Sequence, residues 1–416
     1  MRSTTKKYKN EFFASCPTGL EALLETELKE FGAKETETTK GGVHFKSYPE
    51  AAIKGILYST IASRIYKKAF GFEIKNEKDI YYNAKEIKWK GIFDLEQTFK
   101  ISVIQGKSKQ GTKRSKFENS MFLGHQLKDA IADRFREDTK ERPYVDKVLP
   151  DMSFLMRVEP NDNPHSQKEE VTILIDMCGV AISNRGYRVK SFSAPLRENL
   201  ANGILRLAGY DGSQTLVDGM CGSGTFLAEA ALIKWKIPSS YIHLQNHKEY
   251  GDDLPWAFLK HNYYTKDKYL KENTEKLIQE TIKISETALS NLKPGSIFGY
   301  DTDNGALDIA SYNLEVAGLE SGLTFENEDI TQVTKFDDGG IFIANPPYGE
   351  RLGEGDDLER LYYELGENLK NNFKNFNAYI FTGNMPLLKK ISLRTSKKTI
   401  LYNGNIESRL AEYKLF

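Results

Sequence analysis

The sequence predicts an α/β protein with two parts: an N-terminal α+β region, followed by a mainly parallel sheet that carries helices on both faces and a terminal antiparallel strand. Three observations support this. Strand and helix patterns alternate after residue 188, a short apolar strand at 216–218 runs into a glycine-rich turn, and two strand-like runs close the chain. Such an alternation is typical of open α/β sheets, which bind ligands at the carboxyl ends of their strands.

The length of 416 residues and a hydrophobic content of 39% predict two or three folded domains. No run of 18 apolar residues predicts a membrane-spanning helix, and the polar, lysine-rich start does not resemble a secretory signal. Three widely spaced cysteines and six scattered histidines indicate neither disulfides nor a metal site. We therefore expect a cytoplasmic protein with no membrane or metal partner.

The 58 basic and 58 acidic residues balance overall but are unevenly distributed. Residues 1–165 carry about +6, which leaves about −6 for the remainder. A basic first part beside an acidic second part fits a nucleic-acid-docking module joined to another domain. Chance variation along a long chain explains the same asymmetry.

The N-terminal elements follow from apolar periodicity. Leucines at helical spacing predict a helix that ends at Gly32, and the apolar run 171–176 is expected to pair with 152–158 through the polar loop 160–169. The predicted strands are 12–14, 43–45, 99–104, 152–158 and 171–176, and the predicted helices are 20–31, 49–62 and 120–137.

The C-terminal elements alternate between strands and helices, interrupted by a polar, Tyr- and Lys-rich insertion at 237–275. The predicted strands are 216–218, 297–300, 323–325, 341–344 and 379–382, with a closing hairpin of 399–402 and 409–416. The predicted helices begin at Thr225 and cover 304–317 and 357–373.

The first motif is the glycine-rich turn from Asp218 to Phe226, which follows a strand and opens a helix. Its glycines let the backbone turn tightly and approach a ligand, while the helix start offers unpaired amides. A Walker loop would need Lys before Thr225, and a dinucleotide fingerprint would need a third spaced glycine. The turn therefore suits a small polar cofactor without a pyrophosphate, or is a glycine turn with no ligand.

The second motif is Asn345-Pro346-Pro347-Tyr348-Gly349, directly after an apolar strand. Two prolines cannot continue a central strand, so the chain leaves the sheet as a stiff turn. The Asn345 side-chain oxygen and the Pro346 carbonyl could accept two N–H bonds, and Tyr348 could stack on a flat ring. This arrangement suits a planar substrate with an amino group; a purely structural turn is the alternative.

Together these motifs resemble the class I S-adenosylmethionine-dependent amino-methyltransferases, and more narrowly the THUMP-domain RNA methyltransferases that make N2-methylguanosine in large-subunit rRNA. Further segments that carry the resemblance are Arg185-Gly186-Tyr187-Arg188, 194–201 and 299–303. The resemblance implies a Rossmann-like class I methyltransferase sheet. It also implies a ferredoxin-like domain at 1–66, a THUMP domain at 67–164 and a methyltransferase domain at 165–416.

The resemblance also implies site residues. Asp301 would bind the ribose, Asp329 the adenine amino group, and Ser193–Leu196 would pack beside the cofactor. The implied cofactor-binding residues are Asp218, Cys221, Gly222, Ser223, Gly224, Thr225, Asp301, Asp329 and Pro195, and the implied catalytic residues are Asn345, Pro346, Pro347 and Tyr348. The sequence departs from the family pattern at two places. Gly219 stands where the family usually has proline. Asp301 lies 77 positions beyond Gly224, whereas a compact unit would place the acid roughly 20 positions after the glycines.

A basic loop at 106–117 contains no acid. Taken alone, such a run is most often a solvated surface loop, but within a THUMP-like region we expect it to contact RNA phosphates. Arg351 could hold a phosphate beside the target base or pair with Glu350 or Asp356. The RNA-binding candidates are Lys107, Lys109, Lys113, Arg114, Lys116 and Arg351.

The sequence thus predicts methyl transfer from S-adenosylmethionine to the exocyclic N2 of guanosine in structured RNA, with 23S rRNA as the expected substrate. The Asn-Pro-Pro-Tyr motif alone also fits adenine-N6 methylation of DNA or RNA and glutamine-N5 methylation of protein. A non-catalytic RNA-binding assembly factor is a further alternative. The target nucleotide, the role of 237–275 and the oligomeric state stay open.

Overall fold

The computed structural model describes residues 10–106, 114–161, 163, 165–190, 196–334, 336, 338–347 and 355–416. In these ranges the chain forms two seven-stranded sheets with helices packed against them.

The N-terminal sheet is mixed. Its strands are β1 (Asn10–Ser15), β2 (Glu35–Thr39), β3 (Gly42–Ser47), β4 (Arg64–Ile74), β5 (Phe99–Gln105), β6 (Met152–Pro160) and β7 (Glu169–Asp176). They lie in the order β2-β3-β1-β4-β7-β6-β5, and the β5–β6 pair is parallel whereas the other pairs are antiparallel. The accompanying helices are α1 (Glu21–Phe31), α2 (Pro49–Tyr58), α3 (Lys78–Lys85) and α4 (Ser120–Thr139).

The predicted strands and helices of this region are present, and β7 pairs with β6 as expected. Two strands, β2 and β4, were not predicted. The edge strand β2 reads Glu-Thr-Glu-Thr-Thr and buries none of its side chains fully, so it carries no apolar signal. Although β7 lies beyond the boundary expected at residue 165, its backbone hydrogen bonds join β4 and β6 of the first sheet.

The C-terminal sheet is parallel except at one end. Its strands are β8 (Leu216–Asp218), β9 (Ile297–Asp301), β10 (Thr324–Asn327), β11 (Gly340–Ala344), β12 (Phe376–Thr382), β13 (Lys397–Asn403) and β14 (Ile406–Lys414). Their order is β10-β9-β8-β11-β12-β14-β13, and β14 runs antiparallel to both of its neighbours. The helices are α5 (Glu198–Leu207), α6 (Thr225–Trp235), α7 (Tyr241–Tyr250), α8 (Asn262–Thr265), α9 (Lys268–Leu289), α10 (Asn304–Val316), α11 (Gly355–Asn372) and α12 (Met385–Leu388).

This arrangement confirms the predicted parallel sheet with a terminal antiparallel strand. The insertion 237–275, which the sequence left without a structure, holds α7, α8 and the start of α9. Helix α9 packs on α2 of the N-terminal region, where the Tyr58 and Thr281 hydroxyls lie 2.6 Å apart. Helix α9, which begins within the insertion, therefore packs the C-terminal part of the chain against the N-terminal part.

A single apolar cluster continues from the first part of the chain to the second. It contains Phe12 and Leu24 from the N-terminal sheet and helix α1, together with Leu200 and Leu227 from α5 and α6. Because apolar area is removed from water across this junction, the two parts are held together by the same force that forms each core.

Candidate cofactor and substrate site

The two turns that the sequence singled out leave the same edge of the C-terminal sheet. Strands β8 and β11 are adjacent and parallel, with Asp218 opposite Ile343. The Gly219 amide donates a 2.8 Å hydrogen bond to the Ile343 carbonyl, so pairing continues one residue past β8. The glycine-rich turn and the Asn345 turn therefore emerge side by side, at the edge where open α/β sheets bind ligands.

The glycine-rich turn is held by hydrogen bonds from its backbone amides to a carbonyl and a carboxylate of β9. Gly222 and Gly224 adopt φ angles of 54° and 80°, the left-handed region that glycine enters without a steric penalty. The Cys221 amide donates to the Tyr300 carbonyl at 2.9 Å, and the Gly222 amide donates to Asp301 Oδ2 at 2.8 Å. A Cβ atom on Gly222 would have no heavy atom within 4 Å, so this side of the turn faces open space.

Asp218 is a completely buried carboxyl group with an unused acceptor. Its Oδ1 accepts a long bond of 3.4 Å from the Met220 amide, whereas Oδ2 has no hydrogen-bond partner within the described parts of the chain. Burial, and then the nearby charge of Asp301, raises the pKa of Asp218 well above its ordinary value. Such a group is suited to accept a bond from a positively charged ligand atom.

Asp301 and Asp329 are both engaged with backbone amides. Asp301 is half-buried, and its second oxygen accepts a 3.0 Å bond from the Asp303 amide. Asp329 is exposed and lies two residues beyond the end of β10, where its Oδ1 accepts bonds from the amide and hydroxyl of Thr331. The two oxygens of a carboxylate together offer about four acceptor positions, and each of these aspartates uses two in the bonds described, so both keep acceptor capacity for a ligand.

The other residues of the glycine-rich turn have structural contacts. Burial raises the pKa of the Cys221 thiol well above its usual value, so this side chain is packed and unreactive. The Ser223 carbonyl accepts a 3.4 Å bond from Asn313. A Cβ on Gly219 would lie 2.5 Å from the Phe342 ring, which gives a steric reason for glycine at this position.

Asn345 begins the second turn with an unused acceptor of its own. Its Oδ1 is buried and has no hydrogen-bond partner among the residues that the structure describes. Behind the turn, the Tyr362 hydroxyl of α11 lies 3.5 Å from the Pro347 carbonyl and 3.1 Å from the Thr382 hydroxyl. Pro346 is buried and Pro347 half-buried, whereas Tyr348 and Arg351 lie outside the described residues.

Arg188 is a residue of this site to which the sequence analysis gave no role. Its Nη2 donates to the Leu196 carbonyl at 2.7 Å and to the Thr225 hydroxyl at 2.8 Å, and its Nε lies 3.5 Å from a carboxylate oxygen of Glu198. Arg188 thus ties the chain that precedes α5 to the first residue of α6. Pro195, which the resemblance implied beside the cofactor, lies outside the described residues.

A buried network around Glu229 was also missed. Glu229 and Arg185 are fully buried and lie 3.3 Å apart, and Glu229 accepts further bonds from Tyr187 and Asn202. Arg185 in turn donates at 2.6 Å to the Thr60 carbonyl of the N-terminal region. A lone acid within the otherwise apolar run 226–233 was the available sequence signal, because a buried charge requires a partner.

The basic loop is described only in part. Arg114 is exposed, but Lys116 donates to the carbonyls of Lys75 and Gln167 at 2.9 and 2.8 Å, so its ammonium group binds the protein's own backbone. The remaining candidates, Lys107, Lys109 and Lys113, lie outside the described residues. RNA binding by this loop stays a prediction.

Within the described ranges, no helix is both long and apolar enough to span a bilayer. The same ranges contain no group of three or more His, Cys, Asp or Glu side chains arranged to bind a metal ion.

The strand order, the glycine-rich turn after β8 and the Asn-Pro-Pro turn after β11 together define a class I methyltransferase fold. The chain belongs to the UPF0020 family, described as the RMKL-like methyltransferase domain, whose model matches residues 185–412. Residues 11–66 match the RlmL ferredoxin-like domain, and residues 75–162 match the THUMP domain.

Curated relatives include two proteins named ribosomal RNA large subunit methyltransferase K/L. The one from Syntrophotalea carbinolica is 34% identical over 413 residues, which cover 97% of this chain and 53% of the relative. The one from Methylococcus capsulatus is 34% identical over 405 residues, covering 96% of this chain and 50% of the relative. The chain thus spans about half the length of these relatives.

Solved structures share the fold over nearly the whole chain. A protein described as a possible methylase from Clostridium difficile 630 has a TM-score of 0.79 and 27% identity, with 98% of both chains covered. SMU.472, crystallised in complex with SAH, has a TM-score of 0.77 and 24% identity, again with 98% of both chains covered.

Proposed function

We propose that this chain transfers a methyl group from S-adenosylmethionine to the exocyclic N2 of guanosine in structured RNA, with 23S rRNA as the substrate. One observation carries the proposal: Asp218 Oδ2 and Asn345 Oδ1, at the ends of adjacent strands, are buried acceptors without partners in the described chain. The family, the names of the curated relatives and the THUMP match support this choice of reaction and substrate.

The residues of the first turn fit the cofactor. Asp218 offers a buried acceptor to the α-ammonium group, and the open side of Gly222 admits a ligand close to the backbone. Asp301 and Asp329 keep lone pairs for the ribose hydroxyls and the adenine amino group. When bound, S-adenosylmethionine supplies an electrophilic methyl group on its sulfonium.

The second turn orients the nucleophile. The N2 lone pair of guanine is delocalised into the ring, so the amine is a weak nucleophile. Asn345 Oδ1 and the Pro346 carbonyl accept hydrogen bonds from the two N–H groups of this amine. These bonds favour a tetrahedral nitrogen whose lone pair points at the methyl group. The methylated N2 must lose one proton. The Asn345 amide cannot take up this proton, so it passes to water after methyl transfer. In this proposal Tyr348 stacks on the exposed base.

RNA docking is assigned to the N-terminal region. In this proposal the ferredoxin-like domain is 1–66, the THUMP domain is 67–164 and the methyltransferase domain is 165–416, with β7 of the last range contributing a strand to the N-terminal sheet. Phosphate contacts from the loop 106–117 would hold the RNA, and Arg351 would contact the phosphate beside the target base. A ribosomal substrate places the activity in the cytoplasm.

The test is mass spectrometry of nucleosides from 23S rRNA of a strain that lacks this protein. We expect one N2-methylguanosine to disappear and to return on expression of the wild-type chain but not of Asn345→Ala. An rRNA profile unchanged by the deletion contradicts the proposal. Loss of N6-methyladenosine instead would assign the site to adenine.

A further inference from the structure

A buried asparagine interrupts the apolar face of helix α10, against which the glycine-rich turn rests. Ala310 and Leu314 belong to this face, and Asn313, which is 1% exposed, lies among them. A Cβ atom on Gly224 would lie 3.3 Å from the Ala310 Cβ, so the turn packs directly on this face. Burying an amide is costly unless it is hydrogen-bonded, so an asparagine at this position indicates a specific polar contact.

Asn313 connects the glycine-rich turn to the segment 188–190, which precedes α5. Its Oδ1 accepts from the Val189 and Lys190 amides, both at 3.2 Å. Its Nδ2 donates to the Lys190 carbonyl at 3.0 Å and, over a longer distance of 3.4 Å, to the Ser223 carbonyl. Both ends of the side-chain amide are therefore engaged, and one residue of α10 links two separate stretches of backbone.

Arg188 makes a second connection between this segment and the turn. Its Nη2 donates both to the Thr225 hydroxyl and to the Leu196 carbonyl, so it links the start of α6 to the chain that enters α5. The Arg188 side chain is 13% exposed, and a guanidinium presents its donors in a fixed planar geometry. These bonds therefore constrain how the two stretches are placed relative to each other.

The two side chains hold the flanks of 193–196, the stretch that the resemblance implies beside the cofactor. Asn313 binds Lys190, which precedes this stretch, through both its amide and its carbonyl. Arg188 binds Leu196, the last residue of the stretch. Glycines leave the backbone of the turn few steric constraints, so bonds from outside the turn must supply its geometry. A site binds its ligand well only when a supporting layer of contacts fixes the residues that line it.

We propose that Asn313 and Arg188 are positioning residues for S-adenosylmethionine. They hold the glycine-rich turn and the segment 188–190 in the arrangement that receives the cofactor, and they act through these backbone stretches rather than on the reacting atoms. This inference rests on the proposed cofactor but not on the identity of the methylated nucleotide. Without either side chain, part of the binding free energy is spent on ordering the site, so cofactor affinity falls while the chemical step at saturating cofactor is retained.

The test is isothermal titration of the full chain with S-adenosylhomocysteine. We expect Kd to rise at least tenfold in Asn313→Leu, which removes the four hydrogen bonds of the amide, and in Arg188→Met, which removes the guanidinium donors. Asn199→Leu and Arg206→Met are the matched controls, because these α5 residues bond to the N-terminal region instead; both should bind as the wild type does. Wild-type affinity in either test variant overturns the positioning role alone, whereas absence of binding by the wild type overturns the proposed cofactor as well.

Steady-state kinetics on rRNA separates positioning from a general loss of structure. Both test variants should raise the KM for S-adenosylmethionine at least tenfold and keep kcat within about threefold of the wild-type value. A merely destabilised protein would instead lose kcat, through its smaller folded fraction, at an unchanged KM, and that result overturns the proposal. Should Asn313→Leu fail to fold, the partly exposed Arg188 decides the test: Arg188→Met must bind at least tenfold more weakly than the wild type, and Arg188→Lys, which keeps the charge and one donor group, must fall between them.

Discussion

The Asp301 carboxylate accepts a 2.8 Å hydrogen bond from the Gly222 amide, although the two residues lie 79 positions apart in the chain. The end of β9 therefore shapes the glycine-rich turn after β8 independently of any ligand. An acid in this position both forms the turn and lines it.

Replacing Asp301 with Ala should weaken S-adenosylmethionine binding by about tenfold or more, because a charged hydrogen bond to the turn is worth about 1.5–3 kcal/mol. Isothermal titration measures this effect. Asp308→Ala, an exposed acid on the following helix α10, is the matched control for the lost charge. Equal affinity in the two variants would show that Asp301 does not form the binding turn.

Asn345→Ala should lower single-turnover methylation by ~10²-fold or more, since it removes one acceptor positioned on the reacting amine. Cofactor affinity should change little, because Asn345 lies on the other turn. Near-normal turnover of this variant on ribosomal RNA would contradict the assigned role.

Cofactor affinity should rise with pH. Burial raises the pKa of Asp218 in the free protein, whereas a bound ammonium group favours the carboxylate and lowers that pKa. The complex therefore holds fewer protons than the free protein, and affinity increases as pH rises from the bound-state pKa to the free-state pKa. Titrations across the acid and neutral range should show this slope in the wild type and a flatter profile in Asp218→Asn. Identical slopes would refute the assignment.

The buried Glu229 should be essential to stability. Glu229→Ala leaves Arg185 charged and buried, which should cost about 3–5 kcal/mol of unfolding free energy. Glu359→Ala breaks the exposed pair with Lys390 and should cost about 1 kcal/mol or less. Urea unfolding compares the two variants, and similar small losses in both would argue against a network that joins the two parts of the chain.

His261 should make the protein less stable in acid. Burial lowers the pKa of His261 from 6.5 to about 3, so the unfolded chain takes up a proton below pH 6.5 that the folded chain does not. Stability is therefore lost as pH falls from 6.5 toward 3. Between pH 7 and 5 this amounts to about 2 kcal/mol. His261→Phe should lack this part of the pH dependence, measured by urea unfolding at several pH values, and unchanged dependence would contradict the buried placement.

Elements with a strong local pattern were predictable. Strand β11 is a short apolar run followed by two prolines, and α10 follows an acid, Asp303, that caps it. Strand β2 and helix α7 were missed because their sequences are polar and their place in the fold depends on neighbours. The spacing from Gly224 to Asp301 is longer than in a compact unit because helices α7 and α9 lie between the two residues.

By itself the sequence determined the local chemistry: a flexible glycine turn at 218–226, a stiff Asn-Pro-Pro turn at 345–347, and the parallel sheet that each follows. These two turns and the strands before them depend on the backbone preferences of a few adjacent residues. Only the tertiary structure decided that Asp301 bonds Gly222, that Arg185 reaches Thr60 125 positions away, and that Asp218, Asn345 and His261 keep buried atoms without partners in the described chain. Those properties arise from packing between distant segments, because whether a polar atom is satisfied depends on which groups surround it after folding.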